Sequence, residues 1–101
     1  MSDSIILTAT NQTLTNADTE YSVALTGETI GFTMQARTAV DVRFAFVTGK
    51  VATPTAPYLT MKAGTSYELR LPQACRTAVT LYLASGVAGT VVEILEWSAS
   101  S

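Results

Sequence analysis

The sequence contains no histidine, only one cysteine (Cys75), and only 14% charged residues. Catalytic triads usually take histidine as their general base, and zinc, copper and iron sites depend mainly on histidine and cysteine. A single cysteine also excludes an internal disulfide, and we expect Cys75 to be a small apolar residue near a strand end. The sequence therefore predicts no catalytic residue, no metal site and no cofactor.

Positive charge is scarce as well, and the formal net charge is −2. Proteins that bind nucleic acids draw much of their affinity from clustered lysine and arginine side chains that neutralise phosphates. The six basic residues of this chain are instead scattered one at a time: Arg37, Arg43, Lys50, Lys62, Arg70 and Arg76. We therefore expect no nucleic-acid partner.

Long hydrophobic runs are also missing. The longest apolar runs have three or four residues, whereas a membrane-spanning helix needs about 20, so no membrane partner is expected. The first residues, "MSDSIIL", lack the basic segment and long apolar segment of a signal peptide. These features predict a protein that is made in a reducing cytoplasm and stays there, or in a particle assembled there.

Alternation of apolar and polar residues is the main pattern that is present. Threonine, which favours strands, occurs 17 times among the 101 residues. No stretch of ten residues keeps helical spacing, and short alternating segments recur at intervals of about ten residues. This pattern predicts a single all-β domain over residues 1–101, an antiparallel β-sandwich or jelly-roll-like barrel of seven to eight short strands. The predicted strands are "SIILTAT", "YSVALT", "ETIGFTMQA", "AVDVRFAFV", the two halves of "YLTMKAGTSYELRL", "VTLYLAS" and "VVEILEW".

Turn residues between these segments predict how neighbouring strands connect. Residues 37–39 are expected to join their flanking strands as a hairpin, and Ala63-Gly64-Thr65 to join a second hairpin. The longest loop is predicted at residues 48–57, where Gly49, Pro54 and Pro57 exclude a central strand.

The acidic residues give no clear catalytic pair. Glu93 and Glu96 lie close in sequence, but an offset of three along a strand places them on opposite faces. A catalytic pair of carboxylates contributed by two separate strands, as in a glycosidase, remains an alternative. Phe32, Phe44 and Phe46 lie on apolar faces and are expected in the core.

Two segments are more apolar than a strand with one solvated face should be. Ile5, Ile6 and Leu7 are consecutive, and in "VVEILEW" both faces are largely apolar. Either the N-terminal strand packs under its own sheet, or these segments contact another chain. Tyr82 lies on the opposite face of its strand from Leu81 and Leu83 and faces outward if those two face the core, and Trp97 closes the last strand. If these segments contact another chain, the candidate interface residues are Ile5, Ile6, Leu7, Tyr82 and Trp97.

Three segments follow one another in the sequence, "FTMQARTAVDVRFAFVTGK", "YLTMKAGTSYEL" and "LYLASGVAGTVVEILEW", and they cover roughly residues 30–97. Their order resembles a recurrent module of small virion proteins of tailed bacteriophages. The matching positions are Gln35, Val40 to Val42, Leu59 to Leu69, and Leu81 to Thr90, which are core and turn positions. The first 28 residues have no clear counterpart in the module.

The resemblance implies a non-enzymatic capsid decoration or cement protein on the virion surface, made in the bacterial host's cytoplasm. Its implied partners are the major capsid protein and further copies of itself, with a trimer as the expected oligomer. Residues 1–10 would form an interface arm or an edge strand, and residues 98–101 a flexible tail. The alternative is a carbohydrate- or surface-binding module of a phage tail or fibre. A β-sandwich enzyme and a bacterial β-domain of unassigned function are further alternatives.

Overall fold

The computed structural model describes residues 4–25, 28–70 and 78–100. These residues form eight β-strands and no helix, so no membrane-spanning helix is found in this part of the chain. The predicted all-β class is confirmed, with the strand count at the upper end of the expected range. The strands are β1 Ser4–Leu14, β2 Tyr21–Ala24, β3 Thr29–Ala36, β4 Val42–Ala45, β5 Leu59–Met61, β6 Ser66–Arg70, β7 Thr80–Ala84 and β8 Thr90–Ser100.

The strands form two four-stranded sheets. Sheet A has the order β1-β8-β3-β6, and sheet B has the order β2-β7-β4-β5. Every neighbouring pair is antiparallel. The chain passes repeatedly from one sheet to the other, and this strand order is that of an eight-stranded jelly roll.

The hydrophobic core lies between the two sheets. Alternation along each strand sends one set of side chains inward, and the largest of these are fully buried because both inner faces are apolar. Tyr67 of β6 reaches into the core, where its ring centroid lies 4.6 Å from that of Phe44 and 6.0 Å from that of Phe32. The other large buried side chains are Leu14, Met34, Val42, Leu81, Leu83, Val92 and Ile94.

The two predicted hairpins are wrong. Strand β3 pairs with β6 and β8 in sheet A, whereas β4 pairs with β5 and β7 in sheet B. Residues 37–39 therefore cross from one sheet to the other. The turn at Ala63-Gly64-Thr65 does the same, because it leads from β5 in sheet B to β6 in sheet A. A short link between two alternating segments has the same local sequence features whether it closes a hairpin or crosses between sheets. Alternation alone therefore did not reveal the partner of each strand.

Strands β1 and β8 are longer than their sequence patterns predict. Residues Asn11–Leu14, of which the first three are polar, continue β1, and their backbones pair with Glu93–Thr90 of β8. Leu14 is fully buried. At the other end, Ser98–Ser100 were expected in a flexible tail but instead belong to β8, opposite Ile6–Ser4. Backbone pairing with a neighbouring strand extends both elements beyond their apolar segments.

Phe46 is a further correction. It was expected in the core, but β4 ends at Ala45 and the Phe46 side chain is 42% exposed. The phenylalanine belongs to the long connection between β4 and β5, which contains the predicted loop at residues 48–57.

Two charged side chains hold this long loop against sheet B. Arg43 Nε donates to the Val51 carbonyl (2.8 Å), and Arg43 Nη2 donates to Asp18 Oδ1 (2.8 Å). Glu20 accepts hydrogen bonds from Thr48 Oγ1 (2.6 Å) and from the Gly49 amide (2.9 Å). As a result Val51 is fully buried on the outer side of the sheet. Cys75 and the connection around it lie outside the described residues.

Candidate interaction surfaces

The free end of the β1–β8 pair exposes three consecutive apolar side chains. Ile5 is 47% exposed, Ile6 48% and Leu7 66%. Successive residues of a strand point to opposite faces, so β1 exposes apolar side chains on both of its faces at this end, although Ser98, opposite Ile6 on β8, is buried. We call this surface, made of Ile5, Ile6 and Leu7 with the neighbouring Trp97, the ribbon end.

Trp97 lies opposite Leu7 in the β1–β8 register and opposite Gly31 in the β8–β3 register. Its indole covers Gly31 so closely that a Cβ atom at position 31 would lie 2.6 Å from the indole nitrogen. The Arg70 guanidinium lies 5.7 Å from the ring centroid on the same face of sheet A. The structure therefore joins Trp97 to the ribbon end, with its ring packed partly by its own chain.

Tyr82 lies elsewhere. Its neighbours Leu81 and Leu83 are fully buried, so Tyr82 points away from the core on the outer side of sheet B. There it is half-buried against Ala45, Val51 and Ala84, under the long loop. Sequence reasoning placed Tyr82 in the same set of interface residues as Trp97, but the two belong to opposite sheets.

A second apolar surface was not predicted from the sequence. It lies at the two ends of the long loop, where Phe46, Val47, Tyr58 and Leu59 are all well exposed beside Pro57. We call it the loop patch. The available signal was the pair of adjacent apolar residues, Phe46 and Val47, directly before Thr48-Gly49, because a strand with one buried face would not continue in this way.

The outer face of sheet A also carries a row of polar side chains. Asn11, Glu93 and Gln35 are neighbours across β1, β8 and β3. Glu93 Oε1 accepts a hydrogen bond from Gln35 Nε2 (3.0 Å), and Glu93 Oε2 accepts one from Arg37 Nε (2.9 Å). The Gln35 hydrogen bond and then the Arg37 contacts lower the pKa of Glu93 from its ordinary value, so the carboxylate stays ionised. This polar row borders a shallow groove that also includes Thr33 and Leu95.

Glu96 occupies the opposite face of β8, as its offset from Glu93 predicted. It is only 3% exposed. The Thr29 hydroxyl donates to Glu96 Oε2 at 2.8 Å. The two glutamates are therefore separated by the sheet and cannot act on one substrate. In the part of the chain that the structure describes, no group of three metal-ligating side chains comes together.

Comparisons with known proteins found no matching family model, no similar curated protein and no similar solved structure.

Proposed function

We propose that this chain is a non-enzymatic structural protein of a tailed-bacteriophage virion, where it binds the major capsid protein and stabilises the shell. The observation that carries the proposal is the ribbon end, where Ile5, Ile6 and Leu7 are exposed on both faces of a paired strand. Exposed apolar residues that are contiguous mark surfaces that bind other proteins. The lack of histidine and the scattered charges support a binding role over a catalytic one.

The jelly-roll strand order is compatible with this role, since jelly rolls serve as viral capsid domains and as lectin domains. In the proposed setting the protein lies on the capsid surface after synthesis in the host cytoplasm. Threefold sites of a shell are best matched by closed cyclic oligomers, so the form bound to the particle is proposed to be a homotrimer.

Substitution of the ribbon end tests the proposal. In the triple variant Ile5→Thr/Ile6→Thr/Leu7→Thr, β-branched residues keep the strand while most of the apolar surface is lost. We expect its occupancy on purified phage particles to fall by more than about tenfold, because burial of each large apolar side chain contributes about 1.5–3 kcal/mol. The melting temperature should fall only modestly, because about half or more of each replaced side chain is already exposed.

Val87→Thr is the matched control, because Val87 is exposed in the turn between β7 and β8. Its occupancy should equal that of the unchanged chain. Full occupancy of the triple variant would contradict the use of the ribbon end, and absence of the unchanged chain from the particle would contradict the virion role itself.

Carbohydrate binding on a phage tail or fibre is the second candidate, and the polar row favours it. Sugar sites combine ordered polar groups with an aromatic surface, and Glu93 is already oriented by Gln35 and Arg37. Trp97 lies on the same face of β8, four residues or about 13 Å away, so an oligosaccharide would be needed to reach both. Binding of an oligosaccharide in a glycan screen that Glu93→Ala abolishes, with Glu68→Ala as control, would support this candidate over the first.

A further inference from the structure

Strand β1 is the edge of sheet A, and its outer side has no partner among the described strands. An edge strand presents a row of backbone N–H and C=O groups that can pair with another strand. Natural sheets usually prevent such pairing by keeping the edge short, by placing charges or proline on it, or by a bulge.

The other three edges of this molecule carry such protection. Strand β2 has four residues and β5 has three, with Pro57 close before it. Strand β6 has five residues and carries the ion pair between Glu68 and Arg70. These edges give another chain little to pair with.

Strand β1 has none of these protections. It has eleven residues, "SIILTATNQTL", with no charged residue and no proline. Its register with β8 runs through all eleven positions without a shift, so it contains no bulge. One long, regular and uncharged edge beside three protected ones is the pattern of an edge that is kept for pairing.

We propose that β1 pairs with β1 of a second copy, antiparallel and about a twofold axis, so that two A sheets join into one sheet of eight strands. A second copy fits because β1 carries no charge, and self-pairing therefore brings no like charges together. Most homo-oligomers are closed, and twofold dimers are the commonest of them. This contact belongs to the free protein, whereas the trimer proposed above belongs to the particle.

Symmetry restricts the register of this pairing. Directly opposite residues of antiparallel strands point to the same face, and a twofold axis perpendicular to the sheet maps each face onto itself. One residue of β1 must therefore lie next to the axis, directly opposite the same residue of the second copy. Ala9 is the midpoint of β1, and only a register centred on Ala9 pairs all eleven residues. It also places Thr8 opposite Thr10, a favourable cross-strand pair.

Light scattering on the purified chain tests the proposal. We expect a mass twice that of the 10.7 kDa chain, decreasing on dilution. Ala9 is exposed, so Ala9→Lys and Ala9→Glu should leave the fold intact. Each should weaken the dimer by roughly two- to fivefold, because the axis places like charges opposite one another. A mixture of the two variants should restore the dimer as a heterodimer.

Val87→Lys, which adds the same charge in an exposed turn, is the control and should dimerise like the unchanged chain. A monomer at all concentrations, or a trimer, would overturn the proposal. Failure of the mixed variants to associate more tightly than either variant alone would overturn the register centred on Ala9.

Proline provides a second and stronger test. Alternate residues of β1 direct their N–H groups to β8 and to the open edge. Of the two neighbouring variants Thr8→Pro and Ala9→Pro, one should therefore destabilise the fold and the other should stay folded. The folded variant should lose more than about tenfold in dimer affinity, since both copies lose a hydrogen-bond donor. A folded variant that still dimerises with full affinity would overturn the pairing through β1.

Discussion

At the scale of single residues, packing of the Trp97 indole on the outer face of sheet A requires a glycine at position 31. Gly31 lies beneath the indole of Trp97, and the closest ring atoms would be 2.6–2.8 Å from a Cβ atom at that position. Sequence alternation assigns position 31 to the outer face but gives no sign of this contact. The contact depends on the register between β3 and β8, which places Gly31 opposite Trp97, a residue more than sixty positions away in the sequence.

Gly31→Ala should therefore destabilise the protein by about 1–3 kcal/mol, the usual cost of inserting a methyl group into a filled site. Denaturant unfolding would measure the loss. Gly86→Ala is the control, because the nearest atom to its added Cβ is Asp18 Oδ1 at 3.9 Å. In a Trp97→Ala background the cost of Gly31→Ala should largely disappear, and an unchanged cost there would show that the indole is not its cause.

At the scale of elements, the sequence predicted where strands lie better than it predicted which strands pair. Alternation is a local property, so the positions of β3, β7 and β8, and the buried faces of β3 and β7, could be predicted from it. Pairing depends on distant residues, and the short links at 37–39 and 63–65 gave no indication that they join different sheets. The ends of β1 and β8 were missed for the same reason, because backbone pairing, and not side-chain character, extends them.

The long loop between β4 and β5 provides an element-scale prediction. Arg43 holds it through the Val51 carbonyl and through Asp18, so Arg43→Leu should free the loop while its aliphatic part continues to pack. Trypsin cleavage after Lys50 should become about tenfold faster, since hydrogen bonds to charged groups contribute about 1.5–3 kcal/mol to holding a segment closed.

The control for this experiment is Arg37→Leu, which removes a guanidinium from the outer face of sheet A. It should leave cleavage after Lys50 unchanged. If Arg43→Leu is cleaved no faster than the unchanged chain, the loop is held by its apolar contacts at Val51 instead.

At the scale of the whole molecule, stability comes from one apolar core between two sheets. The candidate surfaces differ in how far they could be predicted. The ribbon end was suggested by its consecutive apolar residues, whereas the polar row is recognisable only once β1, β8 and β3 are aligned. Surfaces assembled from several strands cannot be recognised before their register is known.

With no histidine and one cysteine in the sequence, neither a metal nor an internal disulfide should contribute to folding. We therefore expect the melting temperature in EDTA or in dithiothreitol to match that in buffer alone, as measured by circular dichroism or calorimetry. A decrease of several degrees in EDTA would indicate a metal site, and a decrease in dithiothreitol would indicate a disulfide between chains.

The position of β8 in sheet A has a consequence for synthesis of the protein. It follows all the other strands in the sequence, yet it lies between β1 and β3 and joins them. A bacterial ribosome adds roughly 5–20 residues per second, so β1 waits about 4–15 s for its partner after Leu14 has been made. During that time the nascent chain carries its most regular uncharged strand without a partner. Translation speed and chaperone capture over this interval, more than the stability of the finished sandwich, would then govern the yield of folded protein.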